Sequence, residues 1–277
     1  MNCHRKTWAE VDLGVLRSNV KTLLGCAATS SYFCPMVKAD AYGHGVLQVV
    51  SEMSELNVRQ VGVALVEEAL ELRKRFDSRL KVVLFGSFEE DSAQDLIQND
   101  IEPVVSQWSE LQALATAAQS FQSPVSLQLK FDTGIHRLGF DLADAESVFD
   151  FLKKNNRLCL QAVCTHFSDA EDVGNLEGVT WSQIHQFQKV LKVFEEFSPT
   201  VHVSNSAAFL GLWAHRDQEV YDDKLKWGVR PGISVFGVKP SISLGSSVAR
   251  SRYESLNLQE PMRVYSSIQK ARVIEKG

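Results

Sequence analysis

The chain has 277 residues, of which 44% are hydrophobic and 23% are charged, with 16 glycines and 7 prolines. These values are ordinary for a globular protein and exclude a disordered or collagen-like chain. The net charge of −5 and the lack of a basic stripe argue against nucleic acid as the main partner. No apolar run approaches the roughly 18 residues of a membrane helix. The amino terminus lacks the apolar core of a signal peptide, so we expect no export.

The cysteines and histidines indicate neither disulfides nor a metal. The five cysteines are scattered without a CxxC pair, which is typical of reduced thiols in a cytosolic protein. They are Cys3, Cys26, Cys34, Cys159 and Cys164. The seven histidines show no HExxH or similar ligand spacing, so we expect no structural metal site.

Short β-branched runs alternate with longer amphipathic segments along the chain. Asp12 precedes a helical spacing of apolar residues and is a plausible N-cap for it. That first predicted helix carries Leu13, Leu16, Val20 and Leu23 on one face. A later one carries Trp181, Ile184, Phe187, Leu191 and Phe194. Strands are predicted at Tyr32–Val37, Gln60–Leu65, Lys81–Phe85, Ile101–Val105, Val125–Phe131, Leu158–His166, Thr200–Ser204 and Trp227–Arg230.

Eight strand–helix units predict a parallel sheet, because parallel strands need crossover connections. Eight is also the number of strands that closes a barrel, so we expect a (β/α)8 barrel over residues 1–240. A doubly wound open sheet is the alternative that the same pattern leaves open.

Both ends of the chain lie outside this barrel pattern. Thr7–Asp12 resembles a short strand, and the serine-rich stretch Ser241–Ser255 predicts a loop or linker. Met262–Ile268 alternates like a strand, which the apolar Ala271, Val273 and Ile274 would continue. With no return strand after it, we expect residues 241–277 to be a linker and the start of a truncated β domain that begins near residue 255. The alternative is a short strand that pairs with Thr7–Asp12.

Polar side chains follow the predicted strands at the ends that a barrel brings together. Active sites of such barrels lie at the carboxyl ends of the strands. The residues in these positions are Lys38, Lys130, Asp132, Arg137, His166, Ser204, Asn205, Ser206, Arg230 and Gly232. We therefore expect them around one mouth of the barrel.

Lys38 ends the first predicted strand and precedes the turn Tyr42-Gly43-His44-Gly45. An amine at the end of an apolar strand is desolvated, which favours the uncharged form that makes Schiff bases. The alternative is a lysine that simply extends into solvent. The surrounding turn favours the Schiff-base interpretation.

The segment Arg230–Gly237 follows the last predicted strand, where barrels commonly bind a phosphate. Gly232 allows the close approach of a backbone to the ligand. Asn205 and Ser206 could begin a helix, and the Ser206 hydroxyl could contact the same phosphate. An ordinary Pro-Gly turn and a plain helix N-cap are the alternatives.

The segment Phe131–Gly139 predicts a rigid loop that presents Arg137, whose guanidinium matches a carboxylate in two hydrogen bonds. A surface arginine is the alternative, and we expect His136 to be exposed. His166 could hydrogen-bond Arg230 across the mouth or be a structural histidine. A Schiff-base lysine, a phosphate cradle and an opposing arginine together indicate pyridoxal 5′-phosphate (PLP).

These segments resemble the PLP-binding barrel domain of bacterial alanine racemases. The resemblance rests on Val37–Gly45, Asp132–Gly139, His166–Ser168, Ser204–Ala208 and Arg230–Ile233 in the same order, and it extends over essentially all of residues 6–274. It implies an isomerase that interconverts L- and D-alanine and supplies D-alanine for bacterial peptidoglycan. It also implies a homodimer of the full-length enzyme, and from the scattered cysteines we expect a cytoplasmic location.

The resemblance gives each matching residue a role. Lys38 would carry PLP as a Schiff base and act as one of two acid–base groups. Arg230 would face the pyridine nitrogen, with His166 supporting it. Arg137 would bind the substrate carboxylate and the cofactor's phenolic oxygen, and Lys130, often carbamylated in this family, would orient it. The phosphate would be held by Tyr42, Asn205, Ser206, Gly232 and Ile233.

The family's second acid–base group, a tyrosine of the C-terminal domain, has no counterpart in the chain, because Tyr265 lies before that region. We therefore expect an artificially shortened form of a longer protein, rather than a natural truncation, with weak or no activity. The alternatives are a PLP carrier without turnover, a racemase of broader specificity, and a lyase that uses Lys38 without PLP. The loop Asp132–Gly139 argues against the carrier, which needs no substrate arginine.

Overall fold

The computed structural model describes residues 6–275 of the chain, so Cys3 and His4 lie outside it. Its main sheet is parallel, with its strands adjacent in chain order. These strands are β2 (Gln60–Val63), β3 (Lys81–Leu84), β4 (Ile101–Val105), β5 (Val125–Lys130), β6 (Leu158–Cys164), β7 (Thr200–Ser204) and β8 (Gly228–Val229).

The segment Tyr32–Val37, predicted as the first strand, closes this sheet into a barrel. Phe33 forms a parallel bridge with Val229, and Met36 forms one with Gly62 at the opposite edge of the sheet. The (β/α)8 barrel is therefore confirmed, and the open doubly wound sheet is wrong. The contacts of this first segment are isolated bridges rather than a continuous ladder.

Helices cover the outside of the barrel in the order that the sequence predicts. The first begins after Asp12, whose Oδ1 accepts a hydrogen bond from Val15 N at 3.0 Å, so the predicted N-cap is confirmed. The later predicted helix is α8. The helices are α1 (Leu13–Cys26), α2 (Lys38–Gly43), α3 (Val46–Glu55), α4 (Val66–Arg75), α5 (Ser92–Gln98), α6 (Trp108–Ala118), α7 (Ala145–Lys154), α8 (Val179–Val193), α9 (Ser206–Ala214), α10 (Asp222–Leu225) and α11 (Ser247–Glu254). Of these, α2 is a left-handed turn that lies at the mouth of the barrel.

Apolar side chains pack in two regions. The larger one lies between helices and barrel, where Leu16, Leu72 and Phe187 are fully buried. The smaller one consists of residues on the strands and on the closing segment: Tyr32, Cys34, Val83, Val104 and Cys164. Because alternate strand residues point to opposite faces, the second set fills the barrel interior. The interior is thus packed, and open space remains at its mouth.

The two ends of the described chain pair with each other. Strand β1 (Thr7–Val11) runs antiparallel to β9 (Met262–Ser266), and Trp8 stacks on Tyr265 with ring centroids 5.4 Å apart. The expectation that the last strand lacks a pairing partner is therefore wrong, and the alternative is confirmed. Residues 267–275 form no strand, so the predicted continuation through Ala271, Val273 and Ile274 is also wrong.

The predicted linker Ser241–Ser255 contains a helix, α11, and so is only partly irregular. Ser246 caps this helix by accepting a hydrogen bond from Ala249 N at 3.0 Å, and Tyr253 is buried. The sequence pattern missed it because its apolar residues are few. No helix within residues 6–275 is long and apolar enough to span a membrane.

Candidate active site

A cavity of about 370 Å³ opens at the carboxyl ends of the barrel strands. All residues to which the sequence gave a cofactor or substrate role line it: Lys38, Tyr42, Lys130, Arg137, His166, Asn205, Ser206, Arg230, Gly232 and Ile233. Asp132 and Ser204, which were also expected at this mouth, do not line the cavity. The barrel thus brings together residues from six separate segments of the chain.

Lys38 begins a left-handed turn. Ala39, Asp40, Ala41 and Tyr42 all have φ between 52° and 54°. Residues with a Cβ rarely adopt this conformation, which costs roughly 1–2 kcal/mol for each of them. Such strain concentrates at functional sites, where the surrounding contacts impose it.

Several hydrogen bonds hold this turn in place. Asp40 accepts a bond from Val46 N at 2.7 Å through its side chain and one from Gly45 N at 3.0 Å through its carbonyl. Glu68 of α4 accepts from Ala39 N with one carboxylate oxygen. Its other oxygen accepts from Ala64 N and Leu65 N at 2.9 and 3.1 Å. Glu68 therefore ties the Lys38 turn to the loop after β2, and sequence reasoning missed this residue.

The environment of Lys38 differs from the sequence-based expectation. Lys38 is exposed to solvent, so the expected desolvation at the end of an apolar strand is wrong. The turn that follows places it at the rim of an open cavity rather than among the apolar side chains of the barrel. Its position beside the other cavity residues, and not burial, is what singles it out.

One wall of the cavity presents hydrogen-bond donors to an anion. Helix α9 begins at Ser206, and Asn205 caps it by accepting from Ala208 N at 3.0 Å. The N-cap role that the sequence left open for Asn205 is thus correct, although this residue also lines the cavity. Ser206 Oγ accepts from Gly232 N and Ser234 N at 3.0 and 3.2 Å, so its own proton is free to point elsewhere.

Gly232 leaves space that a larger residue would fill. A Cβ at this position would lie 2.5 Å from the hydroxyl oxygen of Tyr42. Burial raises the pKa of Tyr42, which keeps its hydroxyl protonated and able to donate. Nearby, Ser234 Oγ is buried without a hydrogen-bond partner among the described residues. Hydroxyls, backbone N–H groups and a helix N-terminus together suit a phosphate.

Arg230 lies on the floor of the cavity and is only 5% exposed. Its Nη1 donates to the His202 carbonyl at 2.8 Å, and its Nη2 donates to the carbonyls of Thr165 and Val203 at 2.9 and 3.1 Å. Nη2 also lies 3.3 Å from Nδ1 of His166, which is the contact that the sequence predicted. Five hydrogen bonds, with His202 Nδ1 as the fifth acceptor, fix the plane of the guanidinium.

Both histidines beside Arg230 are neutral. Burial lowers the pKa of His166 to about 3, and the charge of Arg230 adds to this effect. Burial and Arg230 also hold the pKa of His202 well below its usual range. Sequence reasoning missed His202, although its position among apolar residues of β7 was a signal, because a polar side chain at an inward position needs a partner.

Asp132 is hydrogen-bonded to the backbone of the loop that carries Arg137. Burial raises the pKa of Asp132, but hydrogen bonds from backbone N–H groups outweigh this and lower it. Among these, Oδ1 accepts from Gly134 N and Ile135 N at 2.8 and 2.9 Å, and Oδ2 accepts from Arg137 N at 3.1 Å. Arg137 itself is exposed and faces the cavity, and His136 is exposed as expected.

Lys130 is buried, with an exposed fraction of 7%. Burial lowers its pKa, and the nearby charges of Arg230 and Arg137 lower it further. No hydrogen bond links Lys130 to Arg137 within the described residues, as expected for two groups that only donate. An orienting role toward Arg137 therefore requires carbamylation of Lys130, which stays a prediction.

A family model described as alanine racemase, N-terminal domain, matches residues 11–240. The chain belongs to the alanine racemase family. Curated relatives include an alanine racemase of Sorangium cellulosum, 34% identical over 99% of this chain, and one of Geobacillus stearothermophilus, 33% identical over 86%. The chain spans 69% of the first relative and 58% of the second.

Solved structures of family members share this fold. The Clostridium difficile 630 alanine racemase in complex with cycloserine is 26% identical, with a TM-score of 0.80 over 95% of this chain and 68% of its own. A Bartonella henselae alanine racemase with covalently bound pyridoxal phosphate has a TM-score of 0.77 over 94% of this chain and 69% of its own. At 21% identity, the latter supports the fold alone.

Proposed function

We propose that this chain, with PLP bound to Lys38, forms the barrel part of a racemase that interconverts L- and D-alanine. The observation that carries the proposal is that Lys38, Arg137, Arg230 and the donors around Ser206 line one cavity in a chain of the alanine racemase family. Cofactor, substrate and residue roles are inferences from this convergence and from the family.

The cavity residues fit PLP in charge and in hydrogen bonding. Ser206 and Tyr42 would hold its phosphate in the space that Gly232 leaves open, and Asn205 and Ile233 border the same wall. Lys38 supplies the amine that binds it covalently. Once bound, PLP would supply the electron sink that makes the α-hydrogen of the amino acid acidic.

Three side chains would then act on the substrate and on the ring. Arg137 binds the carboxylate in two hydrogen bonds and so fixes the α-carbon over the cavity. Once the amine of the substrate has displaced it from the cofactor, Lys38 Nζ would take the α-proton from one side of that carbon and return it. Arg230 faces the ring nitrogen as a hydrogen-bond donor that does not readily give up its proton, since a guanidinium stays charged in proteins.

Racemisation needs a second proton-transfer group on the opposite side of the α-carbon. Lys38 can serve only one side. The longer family members would supply this group from the part of their chain that lies beyond the region matched here. We infer that these 277 residues alone racemise alanine weakly, that the whole protein works as a homodimer, and that its cytoplasmic product is D-alanine for peptidoglycan.

Exchange of the α-proton tests this function. The purified chain with PLP is incubated in D₂O with each alanine enantiomer, and deuterium at the α-carbon and conversion between enantiomers are measured separately. We expect exchange of one enantiomer to exceed conversion by about 10²–10⁴-fold, the usual contribution of one acid–base group. The control, Lys38→Ala, should show no exchange.

Each other result has a definite meaning. No exchange above the Lys38→Ala control would overturn the racemase assignment and indicate a PLP carrier. Conversion as fast as exchange would place the second acid–base group within these residues. The absence of a visible cofactor absorbance that borohydride abolishes would indicate a lyase that uses Lys38 without PLP. A panel of other amino acids would separate an alanine racemase from one of broader specificity.

A further inference from the structure

A chain of buried polar side chains crosses the barrel interior beneath Arg230. His202 Nε2 lies 2.6 Å from Gln128 Oε1, and Gln128 Nε2 donates to Glu102 Oε1 at 2.6 Å. The other oxygen of Glu102 accepts from Lys81 Nζ at 2.8 Å. His202 and Gln128 are completely buried, and Glu102 is 4% exposed. Only Lys81, at the start of β3, reaches solvent.

The directions of these hydrogen bonds follow from the group at each end. Glu102 pairs with Lys81 and, as a carboxylate, can only accept. Gln128 must therefore turn its amide nitrogen to Glu102 and its oxygen to His202. His202 then carries its proton on Nε2, because an amide oxygen can only accept. Its Nδ1 is left as an acceptor for Nη1 of Arg230.

The same series of hydrogen bonds explains how Arg230 can be a buried cation with no carboxylate beside it. Arg230 forms no salt bridge within residues 6–275, and carbonyl oxygens and imidazole nitrogens accept hydrogen bonds from its Nη1 and Nη2 instead. If His202 carried its proton on Nδ1, that proton would point at a guanidinium that can only donate. The carboxylate of Glu102 thus acts on Arg230 through two intervening side chains.

We propose that Glu102 and Gln128 are positioning residues that fix the tautomer of His202 and, through it, the orientation of Arg230. Neither residue touches the cavity. The tautomer is independent of what the protein catalyses, and only the consequence for PLP rests on the proposed function. These hydrogen bonds hold the guanidinium of Arg230 in one plane, and the ring nitrogen of bound PLP would be the group that this guanidinium contacts.

Replacing Glu102 by glutamine tests the donor–acceptor direction of these hydrogen bonds with little change in the shape of the side chain. The new amide in Glu102→Gln would turn its oxygen to Lys81, because its nitrogen would face a cation there. Its nitrogen would then face Gln128, which must reverse and present its own nitrogen to His202. The proton of His202 moves to Nδ1, and Arg230 loses one of its acceptors.

The measurement is the ¹⁵N chemical shift of both ring nitrogens of His202 in the histidine-labelled chain, assigned with a His202→Asn variant. We expect a neutral ring protonated on Nε2 in the wild-type chain between pH 6 and 8, and on Nδ1 in Glu102→Gln. We also expect PLP to bind Glu102→Gln about tenfold more weakly, as for one lost hydrogen bond of a charged group.

A matched control is Glu110→Gln. Glu110 is also buried and accepts hydrogen bonds from Ser106 N and Oγ at 2.7 and 3.1 Å, but within the described residues it shares no hydrogen bond with Glu102, Gln128 or His202. It should leave the His202 tautomer and PLP binding unchanged while reporting the general cost of a buried charge.

Several results would overturn the proposal. A wild-type His202 protonated on Nδ1, or on both nitrogens, does so even if no variant folds. An unchanged tautomer in Glu102→Gln removes the role of Glu102. A reversed tautomer with unchanged PLP affinity removes the positioning role. Failure of the proposed racemase function would appear only in the exchange assay and would leave the tautomer result intact.

Discussion

The floor and the rim of the cavity are built in different ways. On the floor, Arg230 is 5% exposed and bonded to carbonyl groups and histidines. On the rim, Lys38 and Arg137 are exposed, and within the described residues their side chains form no hydrogen bond or salt bridge. The floor is therefore organised by the fold itself, whereas the rim is organised for its ligands. We expect mutations on the floor to affect stability as well as binding, and mutations on the rim to affect binding alone.

The strongest test of this difference compares the two arginines. Arg230→Leu leaves the carbonyls of Thr165, His202 and Val203 without donors in a buried place, so we expect a loss of at least about 3 kcal/mol in unfolding free energy. Arg137→Leu should change it by no more than about 0.5 kcal/mol. Guanidinium chloride unfolding measures both, and similar losses would remove the distinction between floor and rim.

The pH dependence of stability tests the neutral histidines of the floor. The folded chain holds His166 at a pKa of about 3, whereas the unfolded chain binds a proton near pH 6.5. The contribution of His166 to the free energy of unfolding is thus fully present above pH 6.5 and is lost as the pH falls. Between pH 7 and 5 we expect this histidine to remove up to about 2 kcal/mol. The His166→Asn variant should not show this loss of unfolding free energy between pH 7 and 5. An equal loss in the wild-type chain and in the variant would contradict a neutral His166.

Gly232 tests the wall that faces the phosphate. Gly232→Ala places a methyl group 2.5 Å from the Tyr42 hydroxyl, which must then move away from the proposed phosphate position. Losing one charge-assisted hydrogen bond should weaken PLP binding about tenfold. Gly245→Ala, where a Cβ meets nothing within 4 Å, is the control. Unchanged affinity in Gly232→Ala, measured by titration of the cofactor absorbance, would place the phosphate elsewhere.

The smallest effect is expected at the base of the Arg137 loop. Asp132→Asn keeps one oxygen for Gly134 N and Ile135 N but turns an amide donor toward Arg137 N. We therefore expect the free energy of opening this loop to fall by about 1 kcal/mol. Hydrogen exchange of the loop amides should accelerate while that of β7 stays the same. Acceleration in both would mean that floor and rim are coupled.

The sequence predicted the barrel and the cavity residues because both depend on local patterns. Strand runs end in polar residues, and a closed barrel brings those ends together whatever the details of packing. The exposure of Lys38 was not predictable in this way, because it depends on four left-handed residues that only their tertiary contacts impose. His202, Gln128 and Glu102 are each single polar residues within strands, and their connection exists only across the barrel interior.

The ends of the chain show the same limit. Alternation predicted a strand at Met262–Ile268, but its partner lies about 250 residues earlier in β1, and no local pattern specifies such a pairing. The helix α11 has little apolar periodicity and owes its start to the Ser246 cap. Whether residues beyond 240 form part of a second domain stays a prediction.

The lysine to which PLP attaches tests the proposed function most directly. The wild-type chain is mixed with PLP, reduced with borohydride, digested and mapped by mass spectrometry. We expect one phosphopyridoxyl group, on the peptide that contains Lys38, and a Lys38→Ala variant that folds but acquires none there. A label on Lys130, a label spread over surface lysines, or no label at all would contradict it.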